Sequence, residues 1–161
     1  MAVQAFIGIG SNLADPVAQV RRAIDRLDQL PETSRRAASR LYRNPPMGPA
    51  DQPDYVNAVA ELETALPPQA LLAALQGLEA DAGRDRDGRR WGARPLDLDL
   101  LVYGDREIDE AALTVPHPGL ASRAFVLHPL AEIAPALSVP GLGTAAGLAA
   151  RVSADDLVAV E

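Results

Sequence analysis

Along the 161 residues the elements run strand, helix, strand, strand, helix, strand. That order predicts an α+β fold with helices packed on a mostly antiparallel sheet. Two further observations agree with it. Hydrophobic spacing switches between a period of two and a period near 3.6. The 14 prolines are scattered at the joints, which predicts many short ordered loops. The length suits one domain, expected to span residues 1–161, and no internal repeat or linker interrupts it.

Each element has a local reason. Val3 to Ile9 is short, apolar and bounded by Gly8, Gly10 and Ser11, a buried strand closed by a structural turn. Asp15 followed by Pro16 reads as an N-cap and first helical residue. Val17, Val20, Ile24, Leu27 and Leu30 then recur at helical spacing, predicting a helix to about Leu30. A single strand is expected over 34–43. Residues 44–54 hold four prolines and exclude both helix and central strand. Tyr55 to Thr64 alternates as a strand. Leu71, Leu72, Leu75 and Leu78 predict a second helix from Pro68 to Ala82, ended by Gly83. Leu96 to Tyr103 is a strand closed by Gly104, and 105–120 reads as irregular. Helices are expected near 128–134 and 145–151, and the tail Leu157 to Val160 as an edge strand. The first six elements match the split β-α-β pattern of ferredoxin-like folds.

Composition excludes several classes of chemistry. With no cysteine there is no disulfide, zinc-thiolate site, iron–sulfur cluster or thiol nucleophile. All 15 basic residues are Arg, so a catalytic lysine, a P-loop and a Schiff base are excluded. The net charge of −7 disfavours duplex DNA and anionic membranes as partners. No apolar run approaches the roughly 18–20 residues of a membrane span, and the N-terminus lacks the features of a secretory signal. A cytoplasmic protein is expected.

The strongest local signal is Asp97-Leu98-Asp99 inside an apolar strand. Alternation puts both carboxylates on one face, Cα atoms roughly 6.5–7 Å apart at about 3.3 Å per residue. Leu98, Leu100 and Val102 are expected to point the other way, into the core. A hard divalent cation suits such a pair, since Mg²⁺ takes one or two carboxylates and completes its shell with water and phosphates. A solvated strand face is the plainer alternative. Arg84, Arg86, Arg89, Arg90 and Arg94 immediately precede the strand, and guanidinium is bidentate toward phosphate oxygens. Together, metal-binding carboxylates and arginines fit a polyphosphate. Asp85 and Asp87 could instead neutralise the arginines in an exposed loop. Trp91, the sole Trp, sits in that loop, where an aromatic lid over ligand is one reading. His117 between Pro116 and Pro118, followed by Arg123 and Phe125, is expected to be exposed and free for a phosphate contact. His128 reads as structural. Tyr55 and Asn57 share a strand face and could stack on and hydrogen-bond to a flat heterocycle, or be an ordinary strand face.

Four blocks in order, FIGIGSNL, YRNPPMGPADQPDYVNAV, GRDRDGRRWGARPLDLDLLVYG and LTVPHPGLASRAFVLHPLAEIAP, resemble the 6-hydroxymethyl-7,8-dihydropterin pyrophosphokinase family of folate biosynthesis, over about residues 3–136. The resemblance implies transfer of pyrophosphoryl from ATP to the pterin hydroxymethyl group, leaving AMP, in a monomeric three-layer αβα sandwich. By position it implies Asp97 and Asp99 as ligands of two Mg²⁺ ions. Arg84 and Arg94 would contact phosphate near the transferred group, and Arg86 from the loop. Trp91 would seal the closed site, and Gln76, His117 and Arg123 would contact ATP. Tyr55 and Phe125 would sandwich the pterin and Asn57 read its edge. Asn44, Pro45 and Met47 lie in the segment that also meets the pterin. Asn44 stands where a small hydroxyl residue is common, and Pro118 where Tyr is often found beside the histidine.

Two rivals come from other classes. A nucleotidyltransferase combines a Gly-Ser turn with an acidic pair close behind it, whereas Ser11 and Asp97 lie far apart in this chain. An RNA-binding module on the same general fold needs exposed aromatics and a basic surface. Only 4% of residues are aromatic and the charge is negative.

Overall fold

The structure is a computed structural model that describes residues 2–12, 15–44, 54–82 and 96–160. Its centre is β1 (Val3–Ser11), antiparallel to β4 (Tyr55–Thr64) on one side and to β5 (Asp97–Tyr103) on the other. Beyond β4 lie β2 (Thr33–Ala38) and β3 (Tyr42–Asn44), both antiparallel to it. Counting β2 and β3 as the second strand, the order across the sheet is second, third, first, fourth, the ferredoxin-like arrangement that the element order predicts. The tail strand β10 (Val158–Ala159) pairs with β3, so the expected edge strand is present.

Each face of the sheet has its own core. Ala5, Ile7 and Ile9 of β1, with Leu98 and Leu100 of β5, pack under α1 (Pro16–Leu27) and α2 (Pro68–Ala82). Phe6, Val59, Leu101 and Val102 pack under α3 (Ala124–Ile133) and α4 (Ala145–Ala149). Helices on both faces make three layers.

Several predicted boundaries move, each for a physical reason. α1 starts as expected: Pro16 follows Asp15, whose carboxylate accepts from Ala18 N–H at 3.4 Å. It ends at Leu27, before Leu30, because Asp28 turns to accept the Arg35 N–H at 2.8 Å and Leu30 precedes Pro31. The strand expected over 34–43 is two strands. At the break Ser39 N–H donates to Val59 O at 2.8 Å, while Ser39 Oγ accepts from Val59 N–H at 2.9 Å. The side chain thus replaces a backbone acceptor, and the chain is released to turn before β3.

Residues 105–120 are not irregular throughout: β6 (Ile108–Glu110) and β7 (Leu113–Val115) form a hairpin with Ile108, Leu113 and Val115 buried. The helix expected from 128 begins at Ala124 and carries Pro129 inside it. A mid-helix proline costs about 3 kcal/mol, but Val126, Leu127 and Leu130 are buried beside it at about 1.5–3 kcal/mol each. Burial wins. The helix expected over 145–151 ends at Ala149, preceded by the two-residue strands β8 (Ser138–Val139) and β9 (Gly143–Thr144).

One side chain faces the wrong way for simple alternation. A bulge between Leu100 and Val102, opposite Phe6 and Ile7, turns Val102 to the α3 side, so it does not join Leu98 and Leu100. Tyr103 takes the α2 side instead, its hydroxyl donating to Leu66 O at 2.6 Å.

Ser39→Ala leaves the buried Val59 N–H without its acceptor. Urea unfolding is expected to show a loss of about 1–3 kcal/mol with unchanged slope; a change within error would mean that backbone or water takes over the bond.

Candidate active site

The α3 face of the sheet is apolar only over part of its length. Phe6, Val59, Leu101 and Val102 lie beneath α3, and beyond them the same face turns polar. On β5 that polar end carries Asp97 and Asp99, both half-buried, with the Asp99 side chain 45% exposed. On β4 it carries Tyr55 and Asn57, and on β3 Asn44. Strand pairing brings these together: Asp97 and Asn57 both lie opposite Gly10, and Asn44 opposite Tyr55.

Gly10 makes this crowding possible. A Cβ there would sit 2.6 Å from Asn57 Oδ1, closer than real contacts allow. Gly8, the next residue on that face, lies opposite Asp99 and against the Leu101 side chain. The sequence reading of Gly10 and Ser11 as a closing turn is therefore corrected: both are within β1, paired to β4. The signal was available as alternate glycines on a strand facing alternate aspartates.

Asn57 and Asn44 form a buried amide pair, 7% and 6% exposed, with Asn57 Nδ2 donating to Asn44 Oδ1 at 2.5 Å. A buried amide held by a second amide has a fixed orientation, so what it offers a ligand edge is set before binding.

On the other flank, His117 N–H donates to Leu101 O at 3.0 Å, hanging the segment after β7 on the outer edge of β5. This places His117 Nε2 3.8 Å from Asp99 Oδ1. The ring is not exposed as expected; its side chain is 23% accessible. Burial holds its pKa below the ordinary histidine value, Asp99 opposes that shift and Arg123 adds to it. Nδ1 accepts the Gly119 N–H at 3.0 Å, so the proton of the neutral ring is on Nε2, toward Asp99. The Arg123 guanidinium lies against Gly119 and over the Phe125 ring, 5.9 Å from its centroid. Phe125, at the start of α3, is half-buried against the second core.

Gln76 stands apart. It is exposed on α2, in the helical layer on the opposite face from Asp97 and Asp99. One turn on, Glu79 accepts the Leu98 N–H at 2.7 Å and hooks α2 to β5, a contact that nothing in the local pattern announces. His128 has a structural bond, Nε2 to Val152 O at 2.9 Å. Pro45, Met47, Arg84, Arg86, Arg89, Arg90, Trp91 and Arg94 lie outside the described residues. Among the described residues no three His, Asp or Glu side chains gather as a ready metal cage. No described helix is long and apolar enough to cross a membrane.

Comparison with known proteins gives this polar end a context. The family model for 7,8-dihydro-6-hydroxymethylpterin-pyrophosphokinase (HPPK) matches residues 6–135. The chain belongs to this family. The 2-amino-4-hydroxy-6-hydroxymethyldihydropteridine pyrophosphokinase of Pseudomonas aeruginosa is 50% identical over 140 residues, 87% of this chain and 86% of the relative. Its counterpart from Haemophilus influenzae is 49% identical over 138 residues, 86% of each. Membership in HPPK makes the chain a transferase of folate biosynthesis with ATP as co-substrate. Among solved structures, Plasmodium falciparum HPPK-DHPS A437G with STZ-DHP superposes with a TM-score of 0.73 at 12% identity, covering 94% of this chain and 45% of that one. The wild-type protein with pteroate gives 0.74 at 13%, covering 94% and 42%. This chain thus spans less than half of those longer chains, and the likeness bears on the fold, an α+β sandwich on a mostly antiparallel sheet.

Gly10→Ala is expected to cost about 1–3 kcal/mol in denaturant unfolding, because Asn57 must give way. In an Asn57→Ala background the same substitution should cost clearly less. Equal costs in both backgrounds would show that the Asn57 side chain is not what Gly10 accommodates.

Proposed function

We propose that this chain transfers the pyrophosphoryl group of ATP to the hydroxymethyl oxygen of 6-hydroxymethyl-7,8-dihydropterin, releasing AMP, at the polar end of the α3 face. The observation that carries this reading is the meeting, around Gly10, of a carboxylate pair with a buried amide pair. One group suits a cation and phosphates, the other a flat, hydrogen-bonding heterocycle.

Two half-exposed carboxylates opposite side-chain-free Gly8 and Gly10 form an all-oxygen donor set. That fits Mg²⁺, which keeps water and phosphate in its shell, and two ions are proposed on Asp97 and Asp99. Held by Asp97 and Asp99, Mg²⁺ would supply positive charge to offset phosphate charge as it redistributes during transfer. His117, with its proton on Nε2, donates to a phosphate oxygen on the Asp99 side. Arg123 adds fixed positive charge at that flank. Arg84, Arg86 and Arg94 are proposed to spread charge along the polyphosphate, and Trp91 to close over it, on the grounds of their sequence positions. Gln76, across the sheet from the carboxylate pair, is proposed to meet ATP only beyond the edge of β5, on the grounds of its sequence position.

The pterin is proposed to lie between Tyr55 and Phe125, its edge on Asn57, with Asn44 acting by fixing the Asn57 amide and Pro45 and Met47 completing the wall. The attacking group is the substrate hydroxyl, so no protein nucleophile is required. Such transfer depends on positioning and charge neutralisation. A monomer acting on these two small molecules, independent of nucleic acid or membrane and located in the cytoplasm, completes the proposal.

Incubation with ATP, Mg²⁺ and the hydroxymethyl dihydropterin, followed by chromatography, should give AMP and the pterin diphosphate. ADP or free pyrophosphate as the nucleotide-side product would overturn the reading. Asp97→Ala and Asp99→Ala are each expected to lower turnover by about 10²-fold or more. The fold and the metal-free melting temperature should be kept or improved, since two like charges no longer face each other. Near-normal turnover of either at saturating Mg²⁺ would remove the carboxylate pair from the mechanism. Phe125→Ala should weaken pterin binding about tenfold or more through lost area and stacking. Calorimetry should show affinity for a non-hydrolysable ATP analogue little changed; equal losses for both ligands would indicate a folding defect.

A further inference from the structure

Glu132 closes a three-way junction at the far end of α3. One carboxylate oxygen, Oε1, accepts the Tyr42 hydroxyl at 2.5 Å, and the other, Oε2, accepts the Arg40 N–H at 2.9 Å. Arg40 Nη2 donates in turn to the Tyr42 oxygen at 3.0 Å, and its guanidinium lies over the Tyr42 ring, 5.5 Å from the centroid. Burial, then the bond to Glu132, hold the Tyr42 pKa above the ordinary phenol value, so the hydroxyl stays a donor. The junction lies at the surface, and within it the Glu132 side chain is 27% exposed, against 67% for Arg40.

What the junction joins matters more than its strength. Arg40 belongs to the link between β2 and β3, where the sheet pairing is interrupted. Tyr42 is the first residue of β3 and lies opposite Asn57; two residues on, Asn44 bonds the Asn57 amide. At the other end of α3, about two turns from Glu132, stands Phe125. β3 has only three residues, held by β4 on one edge and by the two-residue β10 on the other. Glu132 is a side-chain tie that couples this short strand to the helix carrying Phe125.

We infer that Glu132 is a positioning residue for the pterin half of the site, holding β3 and α3 in register through Tyr42 and the Arg40 N–H so that Asn57 and Phe125 face one ligand at a fixed separation. This rests on the pterin reading of those two residues. Glu132 touches neither substrate. Its effect falls chiefly on the ligand that bridges α3 and the amide pair, since Asp97, Asp99 and His117 hang on β5 and β7; of the phosphate-side groups only Arg123, at the N-cap of α3, shares the helix.

The test measures kcat, and KM for each substrate, in Tyr42→Phe, Glu132→Gln, Glu132→Ala and the Tyr42→Phe/Glu132→Ala double variant, with calorimetry for the pterin and for an ATP analogue. Tyr42→Phe, which removes one hydroxyl, should raise the pterin KM about three- to tenfold, the worth of one hydrogen bond. KM for ATP should stay within about twofold. Glu132→Ala should raise the pterin KM at least as much. The double variant should be no worse than Glu132→Ala toward the pterin, because both remove the same tie. If Glu132→Ala does not fold, Tyr42→Phe and Glu132→Gln carry the test. Parallel loss toward both substrates, additive losses in the double variant, or an unchanged pterin KM in Tyr42→Phe and Glu132→Gln would each overturn the inference. Phe125→Ala separates the two levels. If it weakens pterin binding while the Glu132 and Tyr42 variants do not, the positioning role fails and the pterin site stands; if it leaves pterin binding unchanged, the pterin reading itself fails.

Discussion

The central strand carries glycines, and so no side chains, beside the carboxylate and amide pairs. β1 is flanked by β4 and β5, so whatever it projects on the α3 face sets the depth of everything beside it. Phe6 fills that face under α3, and then Gly8 and Gly10 project nothing. Asn57 lies across the space over Gly10, and Asp97 and Asp99 flank the bare stretch from β5. Any larger residue at position 10 would push the amide pair away from the carboxylate pair. A glycine in a strand interior weakens the strand; pairing on both edges, with Ala5, Ile7 and Ile9 buried on the opposite face, compensates.

The boundary between the apolar and polar halves of that face is drawn by the bulge in β5. Strict alternation would give the α3 side Asp97, Asp99, Leu101 and Tyr103. The bulge instead gives it Leu101 and Val102 in succession and sends Tyr103 to the α2 side, where its hydroxyl finds Leu66 O. One strand can therefore be acidic at its start and wholly buried at its end. The polar half stops at Asp99 because the next two residues on that face are already core.

Much of this was legible in the sequence because alternation and helical spacing are local. Asp97 with Asp99, and Tyr55 with Asn57, share faces by counting alone, and the order of elements fixed the order across the sheet. What stayed hidden was decided by side chains acting at a distance. Ser39 looks like an ordinary strand residue until Val59 is known to be its partner. The bulge falls in a run of apolar residues, Leu98 to Tyr103, where a slip of one position leaves no trace in the pattern. The helix expected from 128 starts four residues earlier, and the burial of Val126 and Leu127 that outweighs the cost of Pro129 depends on the sheet below. The Asn44–Asn57 and His117–Asp99 contacts join residues that only the strand order brings together.

The site then divides along the construction of the sheet. The groups proposed to face phosphate are mounted on β5 and on the segment that β7 hangs from it through the His117 N–H. The groups proposed to face the heterocycle are mounted on β3, β4 and the first turn of α3. β1 lies between the two halves and contributes only the glycines, so the spacing between them is a backbone distance, set by strand pairing rather than by side-chain rotamers. Pyrophosphoryl transfer asks for that kind of control: the attacking hydroxymethyl oxygen and the phosphorus must meet in line, and small misplacements are costly. A spacing fixed by backbone hydrogen bonds on both sides of β1 is the stiffest that an antiparallel sheet provides. The freedom that remains belongs to β3, a three-residue strand whose place depends on the ties at its ends.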